Sequence, residues 1–275
     1  MFSLKNKLLK NIFLSLLIIA GFLVMQLCSE YSCVFLASTY IPGIIKELMQ
    51  YCILFLFVML LVWLFIKYID RLPFTVIGFQ LKGHFGEIAK SFVLGLIVIG
   101  SGTLVLVLTD QIRLTPNTFH WLYFTIMPII MLLVAMIEEM VMRGYVLRTL
   151  MKSSNLWIAL CISSALFSLL HIPNIVSGGH SCFPLLSIFF AGILLGLVYI
   201  RTQNIWSPIA LHFSWNFFQG FIFAYNVSGE EFYSILQQQR MENNIWNGGD
   251  FGFEGSVLCV FIVIVLCMFF LPKKS

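Results

Sequence analysis

The chain has 275 residues, of which 60% are hydrophobic and 10% charged. Soluble domains carry about 25% charged residues, so lipid rather than water must be the solvent for most of this surface. The net charge of +4 is scattered between apolar stretches instead of forming one basic stripe, which argues against a nucleic-acid partner.

A bilayer core about 30 Å thick takes roughly 20 apolar residues of helix. On that scale the pattern predicts an all-α, polytopic membrane protein, a bundle of about eight transmembrane helices. The expected spans are 12–28, 48–68, 91–108, 121–150, 156–171, 183–200, 208–225 and 257–271. Lys5, Lys7 and Lys10 before the first run resemble a secretory signal. The apolar run continues to Cys28, too far for a signal h-region, and no small-x-small site closes it, so it reads as an uncleaved membrane helix.

The flanking charges agree with eight spans. Lys67, Arg71, Lys82 and Lys90 follow span two. Arg143, Arg148 and Lys152 lie toward the end of span four, Arg201 follows span six, and Lys273 and Lys274 follow span eight. All fall on one side. The opposite loops hold Glu30, Asp110, Glu230, Glu231, Glu242, Asp250 and Glu254, with Arg113 and Arg240 as exceptions. The positive-inside bias therefore predicts an integral membrane protein with both termini cytoplasmic. Its size and phenylalanine-rich style suggest a bacterial cell membrane.

Three regions follow: residues 1–120 with three helices and an inner-face loop, 121–225 as a core, and 226–275 with an outer loop and the last helix. The inner loop 70–90 contains Pro73, Gly78 and Gly83 and has room for a short amphipathic segment. Asn226-Val227-Ser228 is a glycosylation sequon of low specificity. Pro173 and Asn174 are expected to end span five, and His180 to be solvated in an outer loop. The seven cysteines lack a CxxC pair and read as small apolar residues; Cys28 and Cys33 are spaced so that they could pair on the outer side. Gly192 and Gly196 give a small-xxx-small spacing that suits close helix packing.

Charge within a span is costly and calls for a function. Span four carries Glu138 and Glu139 in adjacent positions, about 100° apart on a helix, so their side chains diverge. Glu139 and Arg143 are i,i+4 and can pair. Glu138 is left without a local partner, and an unpaired carboxyl in low dielectric is a candidate general base or acid. Span five ends at His171, and span seven carries His212 and Asn216 one turn apart on a single face. At about 1.5 Å of rise per residue, these polar groups from three spans reach similar depths.

Around a pocket they suit water-mediated hydrolysis. Glu138 would deprotonate a water, a histidine would orient it or protonate the leaving amine, and His212 and Asn216 would stabilise an oxyanion. No GxSxG-type nucleophile motif occurs. HExxH is also absent, so no cofactor is expected; if a metal such as zinc is used, its ligands would be Glu138, His171 and His212.

Glu138-Glu139-x-x-x-Arg143, Phe167-x-x-x-His171 and His212-x-x-x-Asn216, in this order on three apolar spans, resemble the CPBP family. That family includes the CAAX prenyl endopeptidases and the bacterial bacteriocin-processing and immunity (Abi) proteins. The resemblance covers residues 121–225 and implies an intramembrane endopeptidase with a polar cavity. It assigns the water-activating glutamate to Glu138, the supporting acid to Glu139 held by Arg143, the catalytic histidine to His171, and the oxyanion pair to His212 and Asn216. It implies a glutamate rather than a metal mechanism, and a membrane-associated peptide or protein as substrate. Prenylated tails are unusual in bacteria, so a leader peptide or short membrane peptide fits better. A second reading is a non-catalytic immunity or scaffold protein of the same fold. A third is a transporter that uses the glutamates and histidines as a proton relay; it is disfavoured because the first three spans carry no counterpart to the polar cluster. Oligomeric state is open.

Overall fold

The computed structural model describes residues 2–36 and 41–271. Ten α-helices, several of them extended by π turns, account for nearly all regular structure among these residues. α1 (Phe2–Leu36) and α2 (Gly43–Leu64) pair as a hairpin, with α2 continuing as a π turn through Phe65–Ile69. α3 (Phe85–Leu108) leads into strand β1 (Ile112–Pro116). α4 (Trp121–Glu139) runs on through a π segment, Met140–Leu147, into α5 (Arg148–Met151). α6 (Leu156–Leu169) is followed by the short α7 (Ile172–Ser177) and by α8 (Pro184–Thr202). α9 (Trp206–Asn216) continues as a π segment, Phe217–Ile222; strand β2 (Leu236–Arg240) and α10 (Val257–Phe270) close the chain.

Among the described residues, six helices are long and apolar enough to cross a membrane: α1, α2, α3, α4 with its extension, α6 with α7, and α8. α10 and the α9 segment are shorter. α9 is nearly buried along its length, packed against α3, α4 and α8, with the α1–α2 hairpin joined through α4 and α6 and α10 joined through α8. A helix enclosed by protein needs no lipid-facing surface. That is why α9 tolerates Ser207, His212, Ser214 and Asn216 in its buried set.

Local chemistry sets several boundaries. Asn155 caps α6 by accepting from the Ile158 amide at 2.9 Å, and Ser256 caps α10 by accepting from the Cys259 amide at 3.0 Å. Gly192 and Gly196 allow α8 to approach α6. A Cβ at Gly192 would lie 3.0–3.1 Å from Ser164, including its backbone, and one at Gly196 would lie 2.6 Å from the Leu160 side chain. Among the described cysteines all are free. The Cys33 side chain lies outside what is described, and so does the Cys28–Cys33 pairing.

Some expectations change. The 70–90 segment, expected to have room for a short amphipathic stretch, is held against the bundle. It forms a 3₁₀ turn, Phe74–Ile77, whose Ile77 is fully buried. It is stitched to the α8–α9 turn by Asn204 donating to the Gln80 carbonyl, Trp206 Nε1 donating to the Phe79 carbonyl, and the Ile205 amide donating to the Gly78 carbonyl. Asp70 beside it accepts from Arg148 at 2.5 Å and from Lys152 at 2.8 Å, which ties α2 to α5. The connections after α3 and α9 carry two strands that the pattern did not predict: β1 pairs antiparallel with β2, Ile112 opposite Arg240 and Pro116 opposite Leu236. Pro173 does not end a span but sits in the first turn of α7, where its missing amide hydrogen costs nothing. His180 is not freely solvated; its ring packs edge-on against Phe251 at 5.3 Å.

A Gly192→Val substitution forces the α8–α6 contact apart against backbone and is expected to cost about 1–3 kcal/mol. Gly196→Ala meets only the end of a flexible leucine and should cost less. Thermal unfolding in detergent checks this; equal effects at the two positions would contradict the packing described.

Candidate active site

The site is built where three helices change character. α4 passes from α to π geometry immediately after Glu139, α6 stops two residues before His171, and α9 becomes π immediately after Asn216. π turns are rare and concentrate where a helix must present side chains in a non-standard register.

Glu139 and Arg143 form a fully buried ion pair. Arg143 Nη1 donates to Glu139 Oε1 at 2.7 Å, and Nη2 donates to the Gly192 carbonyl at 3.0 Å. The guanidinium lies over the Phe167 ring, 4.6 Å from its centroid, which adds a cation–π contact on its remaining face. The same Glu139 Oε1 accepts from His212 Nδ1 at 3.0 Å. A carboxylate only accepts, so Nδ1 carries the hydrogen and Nε2 is turned to the other side of the ring. There it lies 3.9 Å from Glu138 Oε2.

Glu138 and Glu139 part as their adjacency requires. Glu139 has no exposed side-chain surface, whereas Glu138 keeps 24% and lines a cavity. His171 lines the same cavity. Its Nδ1 donates to the Phe167 carbonyl at 3.0 Å, which fixes the tautomer and leaves Nε2 as the free nitrogen. Asn216, 5% exposed, and His212 complete the polar wall. Thus Glu138, His171, His212 and Asn216 share one cavity of about 170 Å³, and Glu139 and Arg143 stand behind it. The apolar walls come from Phe22, Leu54, Ile130 and Met131 on α1, α2 and α4. Among the described residues, no three His, Cys, Asp or Glu side chains are grouped so as to hold a metal ion.

The 223–255 loop supplies residues to which the sequence pattern gave no part in the site. Val227, Ser228, Glu230 and Phe232 close the cavity from above. Glu254 is buried and accepts from the Ser228 amide at 2.8 Å, from its hydroxyl at 2.9 Å, and from Trp215 Nε1 at 3.0 Å. Asn174, three residues beyond His171, donates to the Ser228 carbonyl at 3.1 Å. The sequon hydroxyl is therefore committed to a structural bond. Glu230 stays exposed at the rim of the cavity, where partial desolvation and the negative charge of Glu138 push its carboxyl above the ordinary carboxylate range; His171 opposes this. The only sequence signal for this arrangement is glycine. Gly229, Gly248, Gly249 and Gly252 all take positive φ, marking a loop that folds tightly on itself.

Residues 119–218 match the family model described as type II CAAX prenyl endopeptidase Rce1-like. All six polar residues singled out from the sequence fall inside the matched segment. No curated protein and no solved structure matches the chain.

Arg143→Met strands Glu139 as an uncompensated buried carboxylate and is expected to lower stability by about 3–5 kcal/mol. The double replacement of Glu139 and Arg143 by methionine should recover most of that loss. Unfolding in detergent reads both; a double variant as unstable as the single one would show that the pair is not what holds the site.

Proposed function

We propose that this chain, whose residues 119–218 carry a domain of the CAAX-protease (CPBP) family, is an intramembrane endopeptidase that uses glutamate-activated water to hydrolyse a peptide bond in a membrane-associated peptide or protein. The observation that carries the reading is the convergence of Glu138, His171, His212 and Asn216 on one cavity, with the charge of Glu139 neutralised behind it.

Each side chain then has a task that its hydrogen bonds permit. His171 Nε2, the nitrogen left free, accepts a hydrogen from the attacking water and orients it. Glu138 takes the other proton as the water oxygen adds to the scissile carbonyl carbon. Asn216 donates to the oxyanion that forms. His212 Nε2 joins it as a donor only from the doubly protonated ring, because Nδ1–H is given to Glu139; the carboxylates of Glu138 and Glu139 on either side compensate that charge. Collapse of the intermediate breaks the C–N bond, and the proton held by Glu138 leaves with the amine. Arg143 touches no reacting atom. It positions Glu139, and Glu139 positions His212.

The cavity reaches from mid-helix positions such as Glu138 and His212 toward the half of the bundle that carries β1, β2 and the 223–255 loop, since Val227, Ser228, Glu230 and Phe232 of that loop line it. With both termini cytoplasmic, as the basic-residue bias has it, that half faces outward and the substrate is met there. A leader peptide or short membrane peptide fits this placement. A binder of the same fold would need no free carboxylate beside a free imidazole nitrogen.

Glu138→Gln is isosteric and is expected to reduce cleavage by about 10²–10⁴-fold without changing the unfolding midpoint. The assay is mass spectrometry of a host membrane-peptide pool treated with wild type or variant, with and without a chelator. Cleavage unaffected by chelator supports the glutamate mechanism. Identical product patterns from folded wild type and variant would move the assignment to a binding or immunity protein.

A further inference from the structure

Glu230 takes part in none of the steps above, yet it lines the same cavity as Glu138 and His171. The turn that carries it is rigid. Val227 and Glu230 exchange both backbone hydrogen bonds, at 2.9 and 3.0 Å, and the two residues between them, Ser228 and Gly229, have φ of 50° and 87°. Positive φ at both central positions is the signature of a type I′ hairpin turn. Serine rarely adopts that conformation, so something outside the turn must hold it. Glu254 does so through the Ser228 amide and hydroxyl, Asn174 through the Ser228 carbonyl, and the Phe251 carbonyl through the Gly229 amide at 3.0 Å. The turn also separates two consecutive carboxylates. Glu230 borders the cavity, whereas Glu231 borders a different groove, on the outer loop with Arg240 and Asp250.

The backbone of Glu230 is fixed by the turn, while its side chain is exposed at the mouth of the cavity. Among the described residues Glu230 makes no ion pair and no side-chain hydrogen bond; only its backbone is bonded. Among the described residues no Lys or Arg lines the cavity, and the charged groups that do are Glu138 and Glu230, with the imidazoles of His171 and His212. Two carboxylates facing one largely apolar cavity repel each other, and a cation placed between them relieves the repulsion. An anionic peptide end is disfavoured there for the same reason.

We infer that Glu230 is a specificity-determining residue that receives a cationic group of the substrate, close to the scissile bond. The cation is either a lysine or arginine side chain or a free N-terminal ammonium. This rests on the peptidase reading above, but concerns recognition rather than chemistry.

The experiment compares peptides that differ only in charge: lysine against glutamine at each position flanking the scissile bond, and free against acetylated N-termini. Each is assayed with wild type, Glu230→Gln and Glu230→Lys, all checked for an unchanged unfolding midpoint. Wild type should favour the cationic member by about tenfold or more in kcat/KM, a charge-pair effect of the usual size. Glu230→Gln should bring the ratio near one, and Glu230→Lys should invert it in favour of glutamate-bearing peptides. The arm that shows the effect tells a side chain from a terminus. The same ratio in all three proteins would overturn the proposal. If wild type cleaves none of the peptides, the peptidase reading fails separately. The same pairs are then titrated as fluorescent ligands in detergent, where a charge preference in Kd that vanishes in Glu230→Gln upholds Glu230 as the reader, and an unchanged preference removes it.

Discussion

The buried ion pair of Glu139 and Arg143 is the constraint on which the rest of the site depends. A carboxylate with no exposed surface in an apolar span, as Glu139 is, needs its charge met. Meeting it takes a guanidinium, whose two Nη groups reach Glu139 and the Gly192 carbonyl, while Phe167 covers the open face. Each of those contacts fixes an element. Gly192 brings α8 against α6, Phe167 places the end of α6, and the second acceptor role of Glu139 orients His212 on α9. Replacing such a pair with apolar residues often costs a protein little stability. Its retention here is therefore better explained by what it positions than by what it stabilises.

Neutralising one glutamate releases its neighbour. Adjacent positions on a helix diverge, so a pair that locks Glu139 inward leaves Glu138 on the cavity wall beside His212 and opposite His171. The π segments that begin directly after Glu139 and after Asn216 belong to the same solution. They let α4 and α9 leave the site in a register different from the one in which they entered it.

The 223–255 loop is the second structural commitment. Glu254 is a buried carboxylate outside the helices, and it is satisfied by Ser228 and Trp215, which joins the loop to α9. The hairpin turn it supports closes a cavity that the helices alone would leave open on that side. The apolar bundle thus furnishes the polar groups of the cavity, and the loop furnishes its remaining wall.

The eight-helix plan and all six polar residues of the central site were legible in the sequence. The reason is that the cost of a charge in a membrane span is local: Glu138, Glu139, Arg143, His171, His212 and Asn216 stand out against their apolar neighbours whatever the rest of the chain does. Helical spacing likewise determined that Glu139 and Arg143 would pair and that Glu138 would be left over. What only the tertiary structure decided was where the polar loops go. Ser228, Glu230 and Glu254 sit among residues that water would accept equally well, so no burial cost marks them in the sequence. Their roles come from long-range closure of the 223–255 loop onto α7 and α9, and from the β1–β2 pairing that holds it there. The same holds for the inner turn at Ile77, which reads as a surface segment and is drawn into the core by hydrogen bonds from residues more than 100 positions away.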